Sequence, residues 1–251
     1  MKYRKLFPLV IFALLFNLVA ACSPAAVSAP TETATVTPVP ATPTKTPKPT
    51  ATPKPSATPD IAATQKYDDF ATLLEKSKND GYISTTSGKI TELEPFKEEW
   101  AQINWFQWWD YGTANSEFVL KATFDWSTST SNPDESGCGV VFGLQENGDY
   151  YVVFLTNARV LFMLKRGSNL YNVGKTSGPG AYKFDNPAKA EFVLAVSDQK
   201  ARVIVDGEPT LYTLSVDQTA AGGYGLSLLS GTNKDYGTRC EATDMMLWTA
   251  K

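Results

Sequence analysis

The pattern of apolar and polar positions divides this chain into four stretches. Residues 1–21 carry a basic start, Lys2, Arg4 and Lys5, followed by the apolar run "LFPLVIFALLFNLVA" from Leu6 to Ala20. Residues 22–60 show no period, and nothing apolar in them is larger than valine. In residues 61–80, "ATQKYDDFATLLEKSKNDG" sets Tyr67, Phe70, Leu73 and Leu74 at helical spacing, with Lys76 and Lys78 in the last turn and Gly81 as a stop. That spacing predicts one amphipathic helix. From residue 81 to 251 the period falls to two.

In "EFVLKATFDWS", Phe118, Leu120, Ala122, Phe124 and Trp126 share one strand face, and Lys121 and Asp125 share the other. "CGVVFGL" and "YYVVFLT" flank "QENGD", whose Asn147-Gly148 pair signals a hairpin. "VLFMLKR" and "LYNVGKT" are joined through Gly167-Ser168-Asn169, and "EFVLAVS" and "ARVIVDG" through Asp198-Gln199. "TLYTLSV", "GYGLSLLS" and "EATDMMLWT" complete about ten short strands, with Phe96 to Asp110 as a further, first one. Strands this short with few helical interruptions predict a mainly β, antiparallel two-sheet sandwich, because two facing sheets bury one face of every strand.

Composition changes the picture at the N-terminal end. A basic n-region and a fifteen-residue apolar run form an export signal, too short to span a bilayer comfortably. Val19-Ala20-Ala21-Cys22 resembles the bacterial lipobox, which implies a lipidated Cys22 and a membrane anchor without a spanning helix. Ser23 to Asp60 holds ten of the sixteen prolines and ten threonines, so no core offsets its ordering entropy and it reads as a disordered tether. At ~3.1 Å per residue in polyproline II, such a tether reaches on the order of 100 Å. These features place the protein outside the cytoplasm, lipid-anchored to a bacterial membrane or envelope.

The globular part has 17 Lys and Arg against 24 Asp and Glu, a net charge of −7, which disfavours nucleic acid and anionic lipid as partners. Histidine is absent, which removes the commonest general base and metal ligand. With Cys22 assigned to lipid, Cys138 and Cys240 remain, and an oxidising compartment favours their pairing over two separately buried thiols.

The order "GCGVVFGLQENGDYYVVFL", "VLFMLKR", "VIVDGEP", "GGYGLSLLSGTN" is similar to the concanavalin A-like jelly roll, in particular to laminin-G-like and 3-keto-disaccharide-hydrolase-type domains. The resemblance covers about Glu117 to Trp248 and implies a fold that hosts lectins, carbohydrate-binding modules, glycosidases and structural spacers. Retaining glycosidases of this fold carry carboxylates at alternate strand positions. No such alternation occurs here. Glu98-Glu99 and Asp134-Glu135 are adjacent, and Glu241 and Asp244 are out of phase, so solvated surface charge accounts for them and no catalytic residue is assigned. Asn233 and Asp235 in "GTNKDYG" offer two oxygen ligands on a stretch that reads equally as a polar turn, which leaves structural calcium as an alternative to the expectation of no cofactor and no metal.

Four of the six tryptophans fall in "EEWAQINWFQWWDYG". As a strand, Trp105, Gln107, Trp109 and Tyr111 share one face, and Phe106, Trp108 and Asp110 the other, so one sheet face cannot hide every ring. Two readings follow. Either Trp105 and Trp109 are core and Trp108 packs against the helix, or Trp105, Gln107, Trp108, Trp109, Asp110 and Tyr111 include a platform for a ligand: a sugar, with rings stacking on C–H faces beside an amide and a carboxylate, or a peptide, which the same composition suits. The sequence thus points to a lipoprotein presenting a non-enzymatic jelly-roll domain that binds glycan or another surface ligand. A glycosidase with unfamiliar carboxylate placement and a structural or sensory protein-interaction module are the alternatives.

Overall fold

The computed structural model describes residues 61–130, 135–174 and 181–251, within a unit spanning Ala57–Lys251. The export signal, Cys22, the Pro/Thr-rich stretch and Asp134 lie outside the described residues. One helix, α1 (Ile61–Asn79), is followed by thirteen strands: β1 (Gly88–Glu92), β2 (Phe96–Trp100), β3 (Trp105–Ala114), β4 (Phe118–Thr128), β5 (Gly137–Leu144), β6 (Tyr150–Thr156), β7 (Val160–Arg166), β8 (Asn169–Asn172), β9 (Ala188–Ser197), β10 (Lys200–Val205), β11 (Glu208–Thr213), β12 (Gly222–Ser230) and β13 (Thr238–Ala250).

The strands form two antiparallel sheets. The first runs β1-β13-β4-β9-β10-β11 with β2 also on β13, and the second runs β3-β12-β5-β6-β7-β8. This is the concanavalin A-like jelly-roll sandwich that the motif order implies. The alternation in β4 works as expected: Phe118, Leu120, Ala122, Phe124 and Trp126 are all within 1% of full burial. They meet Cys138, Val140, Phe142, Tyr151, Val153 and Leu226 from the second sheet. Cys138 on β5 and Cys240 on β13 are bonded, with Cα atoms 5.6 Å apart, so the bridge ties one sheet to the other.

Three expectations are corrected. Phe96 to Asp110 is not one strand: the chain leaves the first sheet after Trp100, turns with Asn104 at φ 54°, and enters the second sheet at Trp105. The helix buries Phe70, Leu74 and Ser77, whereas Tyr67 is exposed, so its covered stripe is narrower than the apolar spacing predicts. Finally, α1 covers the outer face of the first sheet, over Val119, Val193, Ala195, Met246 and Trp248, and has no part in packing Trp108.

A shift of register between Thr243 and Met246, with Asp244 at φ 52°, decides what α1 covers. Ala242, Met245 and Leu247 point into the sandwich, and Met246 and Trp248 point to the helix. Strict alternation from Ala242 would have sent Met246 and Trp248 inward.

Candidate functional site

β3 sits at the edge of the second sheet and distributes its aromatic residues in three directions. Trp109 and Tyr111 point inward and close the open side of the core. Their rings meet Phe96 edge-on at 5.2 and 6.4 Å, and the Tyr111 hydroxyl reaches the Pro95 carbonyl at 3.5 Å. Burial, with Glu98 and Glu94 nearby, pushes the Tyr111 phenol above its ordinary pKa. Trp105 is 49% exposed at the strand's start, which corrects its reading as core. Phe106 and Trp108 point to the outer face.

The outer face is built in rows by the register. Trp108 lies opposite Ser227, then Gly139, Phe154 and Leu161. The next row is Asp110, Gly225, Val141, Val152, Met163 and Asn172. Large side chains therefore flank a trough of glycine, serine and valine. The rings lean across it: Phe106 lies 5.2 Å from Phe154 and 6.5 Å from Tyr150, and Trp108 lies 6.1 Å from Tyr150. An added Cβ on Gly139 would sit 2.4 Å from Phe154 Cδ1, and one on Gly225 would sit 3.1 Å from Trp108 Cε3. Only glycine allows the rings to lie this close to the backbone.

The result is an aromatic roof over buried sheet. Val141, Val152 and Ser227 beneath it are fully buried, and the Ser227 hydroxyl donates to the Gln107 carbonyl at 2.9 Å. Trp105 stacks on Phe106 at 5.6 Å and adds a second aromatic layer. Trp108 remains partly exposed. Polar groups border the rings: the exposed Asp110, whose carboxylate accepts from the Gly112 amide at 2.9 Å, and Lys165, whose ammonium lies 5.3 Å from the Tyr150 centroid and donates to the Gly148 carbonyl at 2.9 Å. Burial raises the Tyr150 pKa, so this phenol stays neutral well past neutral pH.

The six sequence-predicted ligand residues are therefore divided. Trp108 and Asp110 face the roof, Trp105 caps it, Gln107 is exposed at the sheet edge, and Trp109 and Tyr111 turn to the core. Tyr150, Phe154 and Lys165 escaped the sequence reading. Their signal is the glycine at alternate positions in "GCG", a sign that something bulky lies over that strand.

Four of the carboxylates considered for catalysis lie beside cations: Glu99 pairs with Arg239 at 3.0 Å, Glu241 with Lys97 at 2.9 Å, and Glu135 with Arg159, while Asp244 lies 4.0 Å from Lys66. One arrangement was not visible in the sequence. Asp125 and Glu241 are cross-strand neighbours on the outer face of the first sheet, in a shallow cleft with Ser127 and Arg239. Asp235, in the stretch considered for calcium, has φ 48° and lies in a turn closed by the Gly237 amide on the Lys234 carbonyl at 2.8 Å.

No protein-family model and no curated sequence matches this chain. Among solved structures it is similar to the carbohydrate-binding module CBM66 from Bacillus subtilis, at 9% identity over 65% of this chain and 98% of that one, with a TM-score of 0.46. It is also similar to sheep galectin-11, at 12% identity over 56% and 99% of the two chains with a TM-score of 0.37. A third similar structure is the carbohydrate recognition domain of Emp47p, at 15% identity over 68% and 93% with a TM-score of 0.43. At such identities and scores, a functional reading of this chain rests on its own geometry.

Proposed function

We propose that this protein is an extracytoplasmic lipoprotein whose jelly-roll domain binds a glycan, without catalysis, on the outer face of its second sheet. The observation that carries the reading is the aromatic roof: Trp108 and Trp105 keep ring surface at the solvent, bordered by Asp110 and Lys165. Ring faces suit the C–H face of a sugar, and the flanking carboxylate and ammonium suit its hydroxyls. The lipobox-like Val19-Ala20-Ala21-Cys22 and the proline-rich tether support presentation at a distance from a membrane.

Affinity electrophoresis of the parent against a panel of neutral, amino and acidic polysaccharides tests the reading. Retardation by at least one polymer is expected, with Trp108→Ala losing tenfold or more in affinity while its melting transition moves little. A parent retained by none of them would sink the glycan reading. Cys22→Ala is expected to move the protein from membrane to soluble fractions. Hydrolysis is the second reading, favoured by the Asp125 and Glu241 pair; sugar release that Asp125→Asn abolishes would replace binding with catalysis.

A further inference from the structure

Sheet edges expose unpaired backbone groups, and proteins protect them with brevity, charge or proline. Three of the four terminal edges here are protected. β1 has five residues and carries Lys89 and Glu92; β8 has four; β11 has six and carries Glu208 and Pro209. β3 has ten residues, no proline and one charge, Asp110. Among the described residues no strand pairs with its free side. Its register irregularity, opposite Tyr224 and Gly225, falls toward its far end and leaves Trp105 to Asp110 regular. Ile103 and Trp105, at its near end, are 54% and 49% exposed.

We propose that β3 is the surface through which two copies of this chain associate, strand against antiparallel strand about a two-fold axis, so that their second sheets become one continuous sheet. The free edge demands an extended strand as its partner, since only that geometry satisfies a row of backbone donors and acceptors. The side chains select a second copy. A basic peptide would find a single carboxylate, whereas β3 matches itself: with Trp108 at the axis, Trp105 faces Tyr111 of the second copy, Gln107 faces Trp109, and Asp110 faces Phe106. No like charges are opposed. Such pairing is isologous, as the two-fold symmetry of a homodimer requires. The buried area, a single strand with Ile103 and Trp105 added, is on the order of the ~1,000 Å² lower limit for specific interfaces, so the dimer is concentration-dependent. The edge and the roof share Trp105 and Trp108, so pairing would alter the rim of the glycan surface, but the dimer is read from the free backbone edge and is tested separately from polysaccharide binding.

Sedimentation velocity of the full chain in density-matched detergent, over a hundredfold range of concentration, tests it. The parent is expected to pass from monomer to dimer, and the variant carrying both Gln107→Lys and Thr113→Lys to require at least tenfold more protein with an unchanged melting midpoint. Cross-linking with a short bis-maleimide separates this edge from other contacts: Gln107→Cys, which meets its copy diagonally across the axis at about 7–8 Å, should give a covalent dimer that Lys189→Cys, exposed on the first sheet, does not. A parent monomeric throughout, a double-lysine variant that dimerises like the parent, or equal cross-linking at the two positions would overturn the proposal. Loss of dimer with retained polysaccharide binding would leave the glycan reading standing alone.

Discussion

The two sheets solve the same problem, an apolar outer face, in different ways. The first sheet borrows a helix: Phe70 and Leu74 of α1, with Ile83, close over Val119, Val193, Ala195, Met246 and Trp248. The second sheet roofs itself, with Phe106, Trp108, Tyr150 and Phe154 leaning over glycine, serine and valine of the neighbouring strands. A helical cover turns one apolar stripe inward, here Phe70 and Leu74, and leaves a mostly polar surface outside, with Tyr67 the exposed exception. A roof of side chains has two sides. Its underside packs, and its upper side keeps indole at the solvent, which makes the second face the better place for a ligand.

The largest expected contrast is between two tryptophans. Trp248 is fully buried under the helix and donates to the Thr86 carbonyl at 3.2 Å, so Trp248→Ala is expected to cost ~3–5 kcal/mol in urea unfolding. Trp108→Ala is expected to cost about 1 kcal/mol. Equal losses would erase the distinction between cover and roof.

A smaller effect probes the roof's foundation. Gly139→Ala places a methyl group 2.4 Å from Phe154 Cδ1 and 2.6 Å from the Val153 carbonyl oxygen, and is expected to cost ~1–3 kcal/mol through overpacking. Polysaccharide binding should weaken with it, because Phe154 supports Phe106 and hence Trp105. Unchanged binding would detach the ligand surface from the trough.

The core between the two faces supplies a pH test. Burial, with Tyr182 nearby, pushes the Tyr212 phenol up to about 12, and burial also raises Tyr151 and Tyr224. These groups hold their protons more tightly in the folded chain, so their contribution is complete below the unfolded value of ~10 and is lost as pH rises through the folded values. Stability should therefore decline above about pH 10, with both faces released together; absorbance at 295 nm followed alongside circular dichroism checks this. Phenolate formation in a fully folded domain at that pH would contradict it.

The smallest effect belongs to the rim of the helix. Lys66 bridges α1 to Glu92 on β1 at 2.7 Å with both side chains partly exposed, and Lys66→Ala is expected to cost no more than ~1 kcal/mol. A larger loss in thermal unfolding would mean that charge as well as apolar burial holds the helix to the first sheet.

Much of this architecture was legible in the chain because it depends on local periodicity. The helix at residue 61, the inward face of β4, the hairpin at Asn147-Gly148 and the pairing of the two remaining cysteines each follow from spacing, turn chemistry or elimination. The candidate site was legible only in part. The aromatic run announced that some rings must leave the core, yet alternation alone assigned Trp105 to the same side as Trp109, whereas at the start of the strand, one residue after Asn104 at φ 54°, it is exposed and stacked on Phe106.

What the sequence determined by itself was the alphabet of elements, since a side-chain period of two or 3.6 is a property of neighbours along the chain. What only the tertiary structure decided was which sheet each strand joined and what lay across from it. Phe96 to Asp110 reads as one strand but is divided between β2 and β3 in different sheets, and the bulge at Asp244 swings Trp248 from the sandwich to the helix. Tyr150 and Phe154 meet Phe106 only because β12 and β5 between them carry Gly225, Ser227 and Gly139. Such a roof is a property of four strands at once, and close packing across strands distant in sequence leaves no period for a single segment to show.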